Sequence, residues 1–223
     1  PELKALINCK QDPEWHPEGD VWVHTLHCMN AFATNRINDE VEDLIVGLAV
    51  LCHDLGKPLT TITIDGRIRS PKHDIKGIDP TLSFLTRMTA DKTFIESVPP
   101  LVQHHMRPRD FYNNNASDSA IRRLANKTER LDRLVRVSTA DSMGRPPLPS
   151  DNCPEGDWLL KKAAELKIKD TAPKPLIQGR HLINEGLSTG PEMGETLKQL
   201  FEDQLSGEFH TLEEGLVHYR KLR

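Results

Sequence analysis

The segment NDEVEDLIVGLAVLCHDLGKP, residues 38–58, constrains this chain more than any other. Its apolar residues recur with helical spacing. Asn38 or Asp39 stands where an N-cap belongs, acidic residues follow in the first turn, and Gly56 and Pro58 end the helix. So apolar a helix belongs in the interior of a helical protein, yet it closes on His53 and Asp54. Ionisable groups in such a place are costly unless they are paired or bound to a cation.

The same periodicity runs through DVWVHTLHCMNAFATNR, GIDPTLSFLTRM, TFIESVPPLVQHHM, SDSAIRRLANK and TERLDRLVRVSTADSMG. Pro99 and Pro100 are expected to break the third of these, or to mark a loop before LVQHHM. TTITIDGRIRS is the exception: its β-branched alternation around Asp65 and Gly66 predicts a small hairpin. Beyond the Pro-rich stretch GRPPLPSDNCPEGD, residues 144–157, four further amphipathic segments follow, joined by Gly and Pro turns. The expected fold is all-α: a helical bundle with a small β-hairpin over residues 1–149, and a C-terminal helical extension over residues 150–223.

A formal net charge of −4 gives no overall attraction for nucleic acid, so RNA binding would need basic residues gathered on one face. No apolar stretch approaches the length of a membrane span, and PELKALINCKQDPEW lacks the basic start and apolar run of a signal peptide. The expected location is the cytoplasm. Cys9, Cys28, Cys52 and Cys153 are scattered singly with no C-x-x-C pair, which predicts reduced, mostly buried thiols.

The histidines are more informative. His24 sits mid-helix between Val23 and Leu26, and Asp141 ends another helix, four residues past Val137 and seven past Leu134, on their inward face. With His53 and Asp54 these are core-facing or helix-ending ionisable groups, and a divalent ion would relieve their cost. Imidazole and carboxylate together suit transition metals as well as magnesium. His73, His104 and His105 fall between the His-Asp pair and Asp141.

The ordered pattern H…HD…H…HH…D resembles the HD-domain metal-dependent phosphohydrolases, in the form with ligands for two metals. The resemblance implies His24, His53, Asp54 and Asp141 around a first ion and Asp54, His73, His104 and His105 around a second, with Asp54 shared. One or two divalent ions are implied, from among Mg, Mn, Fe, Co, Ni and Zn. At ~3.5–4 Å separation, two such ions generate a hydroxide and neutralise charge on a phosphate ester. Lys57 and Arg145 are then natural phosphate contacts one turn or one loop from the ligands, so that Asp54, Lys57 and Arg145 carry the catalysis. Arg122 is a further expected substrate contact.

QDPEWHPEGDVWVHTLHCMNAF, LCHDLGKPLT, AIRRLA, ADSMGRPP and the tail PLIQGRHLINEGLSTGPEMGETLKQLFEDQLSGEF are similar to the C-terminal half of bacterial CCA-adding tRNA nucleotidyltransferases that carry an HD domain. That likeness covers nearly the whole chain. The head's signature, a Gly-Ser turn followed by paired aspartates, is missing from the sequence, so this chain alone is not expected to polymerise CCA. The implied function is metal-dependent hydrolysis of nucleotide phosphomonoesters or cyclic phosphodiesters, such as 2′-nucleotides or 2′,3′-cyclic nucleotides, by a metal-activated water. The alternative is a tRNA-docking body and tail with no hydrolysis of its own. Among the nearby residues, Asp20 is expected as an N-cap, His16 either near the site mouth or in a loop packed by Trp15, and His27 as no ligand.

Overall fold

In the computed structural model, residues 1–148 and 152–222 are described. Helices α1 (Glu2–Leu6), α2 (Val21–Thr34), α3 (Glu40–Cys52) and the short α4 (Lys57–Thr60) lead into a hairpin of β1 (Ile62–Ile64) and β2 (Arg67–Arg69). There follow α5 (His73–Lys76), α6 (Ile78–Met88), α7 (Lys92–His104), α8 (Arg107–Asn113), α9 (Asp118–Thr128) and α10 (Leu131–Met143). The C-terminal part holds α11 (Pro154–Glu165), α12 (Gly179–Asn184), α13 (Pro191–Ser206) and α14 (Leu212–Leu222). The expected all-α bundle with one small hairpin and a C-terminal helical part is what the chain forms.

Side-chain caps fix several helix starts. Asp20 accepts from the Val23 amide and Asp39 from the Glu42 amide, each at the head of a helix that carries site residues. The strands pair antiparallel with Ile62 opposite Arg69, and Asp65 and Gly66 both take positive φ in the turn, as a tight hairpin requires.

Two apolar clusters hold the chain together. The larger centres on α3, whose Ile45, Val46, Ala49 and Val50 are buried against Leu101 and Val102 of α7 and Leu134 and Val137 of α10. The smaller joins Leu182, Met193, Leu200 and Tyr219 of the last three helices with Ile177 and Phe209 from the segments between helices. Leu159 and Ala163 of α11 belong to the larger cluster. The expected boundary between residues 149 and 150 lies outside the described residues.

One expectation is corrected. Pro99 and Pro100 do not break a helix: α7 runs through both. Two prolines remove two backbone donors, but Val98, Leu101 and Val102 are fully buried at this point, and their packing holds the helical path.

Candidate metal centre

Five elements deliver their ionisable residues to one point. His24 comes from the second turn of α2, His53 and Asp54 from the turn that ends α3, His73 from the start of α5, His105 from the residue after α7, and Asp141 from the last turn of α10. Close backbone approach makes this possible. A Cβ on Gly56 would lie 2.0 Å from the His73 carbonyl oxygen, so only glycine lets the start of α4 rest on α5 and bring His73 beside Asp54.

Three of the imidazoles are oriented alike. His53 Nδ1 donates to the Val50 carbonyl at 2.7 Å, His73 Nδ1 to Ser70 at 2.8 Å and His105 Nδ1 to Val102 at 2.7 Å. Each bond goes back three residues to a backbone carbonyl, and it fixes the tautomer with the hydrogen on Nδ1. The Nε2 lone pairs therefore point inward. His53 Nε2 lies 3.4 Å from His24 Nε2, and His73 Nε2 lies 3.3 Å from His105 Nε2. Two lone pairs facing each other repel unless a proton or a metal cation stands between them.

Asp54 lies between the two pairs. Its Oδ2 is 3.2 Å from His53 Nε2, 3.8 Å from His24 Nε2 and 2.7 Å from Lys57 Nζ, while Oδ1 is 3.4 Å from His73 Nε2. These are close ionic contacts, but neither buried oxygen accepts a hydrogen bond of regular geometry. Burial opposes ionisation of this carboxyl, and the contacts with His53 and Lys57 outweigh it, holding Asp54 well below the usual carboxylate range. Burial pushes His105 down to about 4, so its lone pair is free at neutral pH. The residues fit a cation: two converging sets of ligand atoms, His24, His53 and Asp141 with Cys28 on one side and Asp54, His73 and His105 on the other, all lie within ligand distance of one another inside each set.

His24 is held from behind. Its Nδ1 lies 2.7 Å from Glu18 Oε1 and 3.1 Å from the Gly144 carbonyl oxygen, and its Nε2 is 3.1 Å from Asp141 Oδ1. Burial disfavours its protonation, but the bonds to Asp141, Cys28 and Glu18 prevail and raise its pKa well above the ordinary value. The same Glu18 oxygen is 2.9 Å from His16 Nδ1.

Above the centre a cavity of about 400 Å³ opens to solvent, lined by Trp15, His16, Lys57, Arg69, Arg109 and Arg145 among others. Lys57 also donates to Gln11 Oε1 at 2.6 Å. Lys57 and Arg145 therefore share one cavity with His73. Two expected residues do not come here. His104 turns away from the imidazole cluster, with its Nδ1 buried and unpartnered and the cations Lys127 and Arg107 nearby. Arg122 lines a different cavity, with Lys167, Lys174 and His210, beside the C-terminal helices.

The sequence reading missed Gln11 as the partner of Lys57 and Arg109 at the mouth, and it did not see that Glu18 holds His24. Glu18 lies in the irregular segment before α2, where no periodicity marks an inward side chain. Asp20 is the N-cap as expected, and His16 lies at the cavity mouth, its ring centroid 4.7 Å from that of His24.

No family model matches this chain. Among curated proteins, it is 29% identical over 207 residues to a multifunctional CCA protein of Halorhodospira halophila, covering 89% of this chain and 45% of that one. It is 29% identical over 203 residues to an A-adding tRNA nucleotidyltransferase of Deinococcus radiodurans, covering 88% and 45%. A multifunctional CCA protein of Acinetobacter baumannii is 25% identical over 225 aligned positions, covering 98% of this chain and 50% of that one. The chain spans about half the length of the curated relatives it matches.

Proposed function

We propose that this chain is a metal-dependent phosphohydrolase of the HD-domain type, built as the body and tail of a tRNA nucleotidyltransferase-like protein. The observation that carries the hydrolase reading is the convergence of four Nε2 atoms on an Asp54 carboxylate with no regular hydrogen bond. His24, His53, Asp54 and Asp141 would hold one ion; Asp54, His73 and His105 would hold a second, with Asp54 shared. The ions, of whichever identity among Mg, Mn, Fe, Co, Ni and Zn, would supply Lewis-acid neutralisation of a phosphoryl group and acidify a water.

The chain's own residues do the rest. Lys57 and Arg145, in the cavity wall beside the centre, bind and orient the phosphate of a nucleotide monoester or cyclic diester. Arg69 and Arg109 add positive charge at the mouth, and Glu18 keeps the His24 ring turned so that Nε2 faces the centre. Residues 1–149 carry this site and residues 150–223 form the extension.

The similarity to CCA proteins speaks more directly for a second reading: a tRNA-docking body and tail in which the His/Asp cluster has no turnover. The observation favouring it is that the likeness runs over 98% of the chain in one relative, past the centre and through the C-terminal helices. The two are separated by elemental analysis of the purified protein together with 2′-AMP, 3′-AMP, 5′-AMP and 2′,3′-cAMP under each metal. Hydrolysis abolished in the His53→Ala/Asp54→Ala double variant supports the first; turnover retained by that variant without metal overturns it. Salt-dependent tRNA binding with no turnover under any metal leaves the second.

A further inference from the structure

We infer that Trp15, Tyr112, Asn113 and Glu155 form a nucleobase subsite beside the phosphate cavity, with the base stacked on the exposed aromatic rings. The inference rests on the reading of that cavity as one for a nucleotide phosphate, and adds where the base lies and which residues select it.

A second cavity, of about 550 Å³, is lined by Trp15, Arg109, Tyr112, Asn113, Arg145 and Glu155 among others. Trp15, Arg109 and Arg145 also line the cavity over the His/Asp centre, so the two spaces adjoin along a shared wall. A ligand whose phosphate sits with Lys57 and Arg145 has this second space next to it.

Exposure singles out the two rings. Trp15 is 53% exposed and Tyr112 44%, and among the described residues no other Phe, Tyr or Trp is exposed. Both line the same cavity, and apolar surface gathered in this way marks a binding site more than ordinary surface. Each ring is supported. The Trp15 amide donates to the Asp12 carbonyl at 3.1 Å in the turn before α2, and Tyr112 meets Trp158 of α11 edge to face, with centroids 6.1 Å apart. Flat faces held in this way suit a base, because every base has a face to stack.

Charge sets the direction in which a nucleotide lies. The cavity over the centre carries Lys57, Arg69, Arg109 and Arg145, and the carboxylate in its wall, Asp12, accepts from Arg67 at 3.1 Å. The second cavity contains Glu155, which is buried, with its Oε1 3.6 Å from Arg109 Nε and 3.4 Å from Ser142 Oγ. That carboxylate repels a phosphate and accepts a hydrogen bond from an exocyclic amine. The Asn113 amide brings both a donor and an acceptor to the same space. Adenine, with an exocyclic amine beside a ring acceptor, matches this pair.

The test is binding of 2′-AMP, 3′-AMP and 5′-AMP to the purified, metal-loaded protein, compared with ribose 5-phosphate, which has sugar and phosphate but no base. At least one AMP isomer should bind roughly five- to hundredfold more tightly, the scale of one base stacked on an aromatic side chain. It should also quench tryptophan emission. Trp15→Phe should lose most of that quench and keep most of the affinity advantage, because a ring remains for stacking. Trp15→Ala combined with Tyr112→Ala should bring the ratio of AMP to ribose 5-phosphate affinity toward one. An advantage that survives the double substitution puts the base elsewhere and overturns the inference. Ribose 5-phosphate bound as tightly as every AMP isomer overturns the subsite and leaves the phosphate cavity standing. No binding of any of the four ligands overturns the nucleotide reading itself, and this inference with it.

Discussion

His73 Nε2 and His105 Nε2 face each other across 3.3 Å, each ring locked by a Nδ1 hydrogen bond to the carbonyl three residues before it. Neither can relieve the clash of lone pairs by flipping, because a flip would orphan that carbonyl bond. Replacing His105 by Asn should therefore remove the second ion while the first remains, lowering bound metal from two equivalents toward one by elemental analysis. His104→Asn should leave metal content unchanged, since His104 is turned away from the cluster. Equal loss in both variants would sink this assignment.

Gly56→Ala places a methyl 2.0 Å from the His73 carbonyl oxygen, a backbone atom that cannot step aside cheaply. Overpacking of this kind costs about 1–3 kcal/mol, so the variant should melt well below the wild type and bind the second ion weakly. Gly194→Ala is the control: nothing lies within 4 Å of its added Cβ, and the site is inside α13. There alanine should stabilise by up to about 1 kcal/mol. Calorimetry of the two variants should move in opposite directions.

These residues also show what a reader of the sequence can and cannot see. The buried helix ending on His53 and Asp54 is legible because apolar periodicity, an Asp39 cap and a Gly stop all agree. The choice between His104 and His105 is not, because adjacent helical residues point about 100° apart and the rotation of α7 about its own axis is set by its packing. Helix α7 survives Pro99 and Pro100 through packing that no local propensity records. Arg122 sits in a motif that looks functional, yet α9 turns it toward the C-terminal helices, a placement decided by tertiary contacts.

That displacement yields a contrast. Arg145 lines the cavity over the centre together with Lys57, whereas Arg122 does not. Arg145→Ala should raise KM for a nucleotide phosphoester by about tenfold or more, the scale of one lost charge-assisted contact of about 1.5–3 kcal/mol, with metal content unchanged. Arg122→Ala should leave KM and metal content as they are. A larger effect at Arg122 than at Arg145 would place the substrate elsewhere.

Acid sensitivity should centre on the head of α3. Glu42 receives Arg133 through two bonds of 2.6 Å and Arg130 through one of 3.0 Å, and Asp43 accepts from the Ile37 and Asn38 amides at 3.2 and 3.1 Å while pairing with Arg136. These contacts tie α3 to α10, the two helices that carry His53, Asp54 and Asp141. The bonds from Arg133 hold the Glu42 carboxyl below its ordinary value, against the opposing effect of burial. A carboxyl whose folded pKa is depressed stabilises the fold above its unfolded value, about 4.3 for Glu, and loses that contribution as pH falls through the folded pKa. Wild-type stability in urea should decline over that acid window. Glu42→Gln should cost about 1–3 kcal/mol at neutral pH and flatten the decline, because the amide carries no proton to gain. An unchanged slope in the variant would assign the acid transition to other groups.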